Sequence, residues 1–93
     1  MRYKKVNCQK IAGLLQQLCS PLRLNIICAL RGGAKTVSEL VELTSASPNN
    51  LSQQIKNMEL IGIIEKEREG KFVYCSLANP QIAKLLEELN NLI

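Results

Sequence analysis

Histidine, aspartate and tryptophan are all absent from this 93-residue chain. Without histidine the commonest metal ligand, the commonest general base and every catalytic triad built on an imidazole are excluded. Without aspartate, eight glutamates are the only side-chain carboxylates. No Gly-rich phosphate loop is present, and Glu, Lys, Ser and Cys alone set no nucleophile beside a base, so the sequence does not read as an enzyme. Aromatic residues are reduced to Tyr3, Phe72 and Tyr74, which leaves Leu, Ile, Val and Ala to build a core and favours packed helices. No apolar run approaches the roughly 18–20 residues that a membrane-crossing helix needs. The basic start, Met1 to Lys5, lacks the apolar stretch of a signal peptide. A cytoplasmic location with no membrane partner is therefore expected. The four cysteines (Cys8, Cys19, Cys28, Cys75) contain no C-x-x-C pair. In the cytoplasm they are expected as reduced thiols, with no metal and no cofactor.

Turning to what is there, 46% hydrophobic and 22% charged residues describe a globular chain. Its length suits one domain over residues 1–93, with no internal repeat or linker. The net charge of +4 is mild but compatible with contacts to phosphate. Ile11, Leu14, Leu15 and Leu18 recur at the helical period and predict a first helix over residues 4–18. Ser20-Pro21 is an N-cap followed by proline at the first helical position, opening a helix over residues 22–30 that stops at Gly32-Gly33. That helix is apolar nearly all round and is expected at the centre of the core. Thr36 with Glu39 predicts a capping box for a short helix over 37–43. After the linker Thr44-Ser45-Ala46, Ser47-Pro48 repeats the cap-plus-proline signal and opens a helix over 48–60. Residues 63–67 and 72–76 are β-prone and flank a charged turn with Gly70, which is a hairpin. Asn79-Pro80 caps a last helix through Leu92, striped with Ile82, Leu85, Leu86, Leu89 and Leu92.

The predicted class is thus mainly α with a β-hairpin, in the order α-α-α-α-β-β-α, a winged helix-turn-helix. On the fourth helix Leu51, Ile55 and Met58 share one face, and Asn49, Asn50, Ser52, Gln53, Lys56 and Asn57 make up the other. Short amides that donate and accept at once suit base edges, since Asn and Gln pair bidentately with adenine. Lys35, Thr36, Ser47 and Lys56 flank this face as candidate phosphate contacts. Arg68 and Lys71, at the hairpin tip, are expected to touch the DNA backbone, although the interleaved glutamates weaken that expectation.

Leu51-Ser52-Gln53-Gln54-Ile55, Gly62-Ile63-Ile64 and Arg68 to Tyr74 resemble the arsenic-repressor (ArsR/SmtB) family. Leu18-Cys19-Ser20-Pro21-Leu22-Arg23-Leu24 resembles that family's L-x-[DNS]-P-x-R-L segment, and Val37-Ser38-Glu39-Leu40 its third helix. The resemblance runs from about Leu14 to Leu92. It implies a homodimeric repressor joined through the first and last helices, with two recognition helices in successive major grooves of an imperfect palindrome. The apolar stripes on those two helices support a dimer independently.

The family's metal sites use Cys-x-Cys near the third helix or Asp, His and Glu sets on the last. Here the third helix has no cysteine and the last offers only Glu87 and Glu88, which speaks against the usual metal sensing. The stretch from Arg23 to Leu30 resembles the family's persulfide- and redox-sensing branch, with a cysteine at Cys28. That branch pairs it with a cysteine near the end of the last helix, and residues 81–93 contain none. Cys8 is the substitute thiol favoured from sequence. Cys19 and Cys75 read as core or neutral. Three readings stay open: release from DNA by reactive sulfur species at Cys28, an arsenite-responsive repressor using Cys8 and other thiols, and a winged-helix module that binds protein instead of DNA.

Overall fold

Short polar residues mark where the helices begin. The computed structural model describes residues 6–93. Among them, α1 spans Cys8–Leu18, and the Asn7 Oδ1 accepts from the Lys10 N–H at 3.1 Å. The expected start at Lys4 lies outside the described residues. Val6 and Asn7 precede the helix, because a short amide side chain satisfies a free N–H better from the cap than from within a turn. Ser20 and Pro21 open α2 (Pro21–Ala29), which ends in a 3-10 turn over Leu30–Gly32. Gly33 leaves that turn at φ 128°, a conformation open to glycine.

Helix α3 (Val37–Thr44) carries the reciprocal capping box expected for Thr36 and Glu39. Helix α4 (Pro48–Leu60) starts at Ser47, whose Oγ accepts from the Asn50 N–H at 3.3 Å. The last helix, α5, is Gln81–Asn91. Its N-cap position is Pro80, so capping passes one residue back to Asn79, whose Oδ1 takes the Gln81 N–H at 3.0 Å.

The sheet among the described residues has three antiparallel strands in the order β1-β3-β2, with β1 at Lys35–Thr36, β2 at Ile64–Glu69 and β3 at Phe72–Leu77. The hairpin runs in register from Ile64↔Leu77 to Glu69↔Phe72. Its two-residue loop, Gly70-Lys71, has φ 60° at the glycine, as a type II′ turn requires. The sequence suggested only the hairpin. Strand β1 adds Lys35↔Cys75 and Thr36↔Tyr74 on the far side of β3. Two residues carry no periodic signal, and this ladder is a product of tertiary packing.

The core is aliphatic, as the shortage of aromatics implied. Leu18, Ile26, Ile27, Leu30, Leu40, Leu51, Ile55, Met58, Ile63, Ile64 and Cys75 are buried, and no polar or charged side chain is buried among the described residues. Helix α2 lies in the core as expected, but with one face left open. It buries Ile26 and Ile27, but Cys28 emerges on the surface and Leu24 is only half-buried. Its opposite face meets solvent because α1 and α5 do not close over it.

Both flanking helices leave apolar surface uncovered. On α1, Ile11, Leu14 and Leu15 are 43%, 39% and 47% exposed. Helix α5 has no fully buried residue, and beyond the half-buried Ile82, Leu85 and Leu86 its stripe ends in exposed Leu89 and Leu92. The Arg31 guanidinium, after α2, pairs with the Glu87 carboxylate and ties α5 to the body. No described helix is long and apolar enough to cross a membrane.

Candidate nucleic-acid interface

Helices α3 and α4 meet through a tight turn built by Ser and Thr side chains. Ser45 adopts the left-handed conformation (φ 57°) and its N–H closes α3 on the Val41 carbonyl at 2.9 Å. The Thr44 hydroxyl donates to the Leu40 carbonyl at 2.7 Å and accepts from the Ala46 N–H at 3.4 Å. The turn then delivers Ser47 as the cap of α4.

Leu51, Ile55 and Met58 anchor α4, each 0–1% exposed. Fixing those three sets the rotation of the helix, so its other face must point outward. Asn49, Asn50, Ser52, Gln53 and Lys56 are exposed there, and Asn57 is half-buried. The amides are aligned by i,i+4 bonds. Gln53 Nε2 donates to Asn57 Oδ1 at 3.2 Å, and Gln54 Nε2 donates to Asn50 Oδ1 at 3.4 Å. Gln54 was not singled out by the sequence reading. Its signal was its place four residues after Asn50, at the border of the apolar stripe.

The remaining sequence-selected residues lie around this face. Ser47 is engaged as the cap. Lys35 and Thr36 form β1, half-buried, at the start of α3. The Thr36 hydroxyl accepts from the Glu39 N–H at 3.2 Å, while the Glu39 Oε1 accepts from the Thr36 N–H at 3.0 Å. The Thr36 backbone N–H, then its hydroxyl, hold the Glu39 carboxyl below the usual carboxylate range.

Strand alternation resolves the mixture of charges on the hairpin. Cross-strand partners share a face, so Lys66 and Arg68 lie on the side of Cys75 and Val73, while Glu65, Glu67 and Glu69 lie on the other. Cations and carboxylates are therefore segregated. Lys66 reaches back to Glu59 of α4 at 3.3 Å, fastening the hairpin to the amide-bearing helix. Arg68 is exposed nearer the tip, and Lys71 occupies the loop. On the glutamate side, Phe72 and Tyr74 pair with ring centroids 6.4 Å apart.

The thiols divide by exposure. Cys75 is fully buried in β3, and burial pushes its thiol pKa up. Cys8, Cys19 and Cys28 are free and exposed. Cys19 is thus not a core residue of this chain. It shares with Cys28 an apolar groove of about 820 Å³ between α1, α2 and α5, walled by Leu15, Leu24, Leu86 and Leu89. Cys8 stands at the opposite end of α1, about 16 Å along the axis from Cys19 at 1.5 Å per residue. Among the described residues, no three His, Cys, Asp or Glu side chains gather as a metal site would require.

Known proteins share this arrangement. The family model for "Bacterial regulatory protein, arsR family" matches residues 20–66, from the cap of α2 into β2. The regulator NmtR of Mycobacterium tuberculosis is 32% identical over 79 residues, covering 85% of this chain and 66% of NmtR. The biofilm growth-associated repressor of Agrobacterium fabrum is 35% identical over 80 residues, covering 86% of this chain and 68% of that protein. The chain therefore spans about two thirds of the length of these two relatives. Among solved structures, the transcriptional repressor BigR from Xylella fastidiosa superposes with a TM-score of 0.84 at 30% identity, over 91% of this chain and 87% of BigR.

Proposed function

We propose, since this chain belongs to the arsR family of bacterial regulatory proteins, that it is a homodimeric transcriptional repressor holding palindromic operator DNA through α4. The family consists of DNA-binding transcriptional regulators and not of enzymes. The observation that carries the reading is the division of α4, with Leu51, Ile55 and Met58 sealed in the core and a continuous amide face outside. In this reading Asn50 and Gln53 contact base edges, assisted by Asn49, Ser52 and Asn57. Lys56, Ser47, Lys35, Thr36, Arg68 and Lys71 contact the sugar-phosphate backbone. The exposed stripes of α1 and α5 supply the dimer surface, and two copies of α4 then face successive major grooves. The protein works in the cytoplasm, where that DNA lies.

Release from DNA follows thiol modification at Cys28, with Cys8 as a second thiol. Support comes from the exposure of Cys28 in a groove bounded by both proposed dimer helices. The Cys28 thiolate attacks a sulfur of an organic polysulfide, a new S–S bond forms, and the displaced thiolate leaves. The bulk added between α2, α1 and α5 changes how the helices meet.

The test is fluorescence anisotropy at fixed salt, using a duplex that the reduced protein selects from a randomised pool. Tight binding by reduced protein, lost after polysulfide treatment and retained by treated Cys28→Ser, is the expected result. Failure to select any duplex removes the DNA reading and favours a protein-binding module. Equal affinity before and after treatment removes the thiol switch, and the same titration with arsenite then decides the alternative.

A further inference from the structure

Arg23 connects two parts of the molecule that have separate duties in the reading above. It lies on the first turn of α2, half-buried, between the end of α1 and the middle of α4. Its Nε donates to the Gln54 Oε1 at 2.8 Å. Its Nη1 donates to both the backbone carbonyl of Gln17, at 2.9 Å, and the Gln17 Oε1, at 2.7 Å. The first carbonyl is one of the unsatisfied acceptors in the last turn of α1, where a cation is also favoured by the helix dipole. One planar guanidinium thus grips the end of α1 with one nitrogen and a side chain of α4 with another.

The consequence for Gln54 is orientation. With its oxygen committed to Arg23, the amide must turn its Nε2 the other way, towards Asn50 Oδ1 at 3.4 Å. Asn50 then faces outward with its Nδ2 and one lone pair of its oxygen free, the pair of functions a base edge needs. Without the guanidinium, Gln54 is free to flip and Asn50 loses its partner. We infer that Arg23 is a positioning residue for the DNA-reading face, setting the amides of Gln54 and Asn50 from an anchor on the end of α1. This inference rests on α4 being the recognition helix. Because α1 also carries the exposed Ile11, Leu14 and Leu15, and ends at the groove holding Cys19 and Cys28, a displacement of α1 reaches the reading face through this side chain.

Lysine in place of arginine keeps the charge but lacks the fork that spans both acceptors. The experiment measures affinity of the full chain for its selected duplex and for a scrambled one, at one salt concentration, with thermal unfolding of each variant as control. Arg23→Lys is expected to lose about tenfold on the selected duplex and less than about twofold on the scrambled one. Gln54→Ala is expected to lose a similar amount, and the double variant no more than either single one, since all three break the same relay. Gln17→Ala, which removes a side chain that does not bond to α4, is expected to lower selectivity about twofold. It decides the matter if Arg23→Lys fails to fold. Equal weakening on both duplexes, full additivity in the double variant, or unchanged selectivity in Gln17→Ala overturns the inference. If Gln53→Ala weakens selective binding while Arg23→Lys does not, the relay falls alone. If the unmodified protein selects no duplex, the relay falls together with the recognition helix.

Discussion

Thr36 and Glu39 bond to each other in both directions, hydroxyl to backbone one way and carboxylate to backbone the other. The exchange fixes the first turn of α3, and Thr36 is also the last residue of β1. The Glu39 carboxylate is held below the usual range by the Thr36 N–H and hydroxyl. A depressed carboxyl contributes stability that is fully present above its unfolded pKa and is lost as pH falls through the folded one. Acid unfolding followed by circular dichroism should therefore show a shallower loss of stability in Glu39→Gln than in the unmodified protein. Parallel acid curves for the two proteins would refute this.

The proposed contacts of α4 to bases and to phosphates are separable by substitution. Gln53→Ala and Asn50→Ala are each expected to cost roughly 1–3 kcal/mol on the selected duplex and little on a scrambled one. Lys56→Ala should weaken both duplexes alike and reduce the slope of log K against log salt by about 1. Titrations at several salt concentrations check both, and unchanged affinity in all three variants would place the reading head elsewhere.

Thiol reactivity should follow exposure. Cys28 and Cys19 open to the groove, whereas Cys75 lies fully buried at the centre of β3 with its pKa raised. Iodoacetamide treatment of native protein, read by mass spectrometry, should label Cys28 and leave Cys75 intact, with all four thiols labelled after denaturation. A raised thiol pKa favours the neutral form in the fold. That stability is present below the unfolded pKa and is lost as pH rises through the folded one. Cys75→Ala should accordingly lessen alkaline destabilisation relative to the unmodified protein.

The exposed stripes make a quantitative demand. Leu15→Glu and Leu89→Glu each place a charge on an apolar surface that a second copy is proposed to cover. Burying an unpaired carboxylate costs several kcal/mol, so sedimentation should move to the monomer in either variant. Retention of a dimer by both would locate the interface on another face.

The helical half of this fold was legible because its signals are local. Ser20-Pro21, Thr36 with Glu39, and Ser47-Pro48 each act within one turn, and each opens a helix in the structure. Leu51, Ile55 and Met58 gave the rotation of α4 for the same reason. Features set by distant partners were not legible. Strand β1 exists through its ladder with Cys75 and Tyr74, forty residues away or nearly so. The surface position of Cys28 follows from what fails to cover α2, and the role of Gln54 from an arginine 31 residues earlier. The charge pattern of the hairpin was open to a sequence reading, since alternation alone separates Lys66 and Arg68 from the glutamates between them.

Both outer strands of the sheet discourage further pairing. On one side β1 offers only two residues. On the other, every residue of β2 after Ile64 is exposed and charged, reading Glu65, Lys66, Glu67, Arg68, Glu69. A brief edge and a charged edge are two of the means by which sheets avoid recruiting a foreign strand. Edge-to-edge, fibre-like stacking of copies through this sheet is thereby disfavoured.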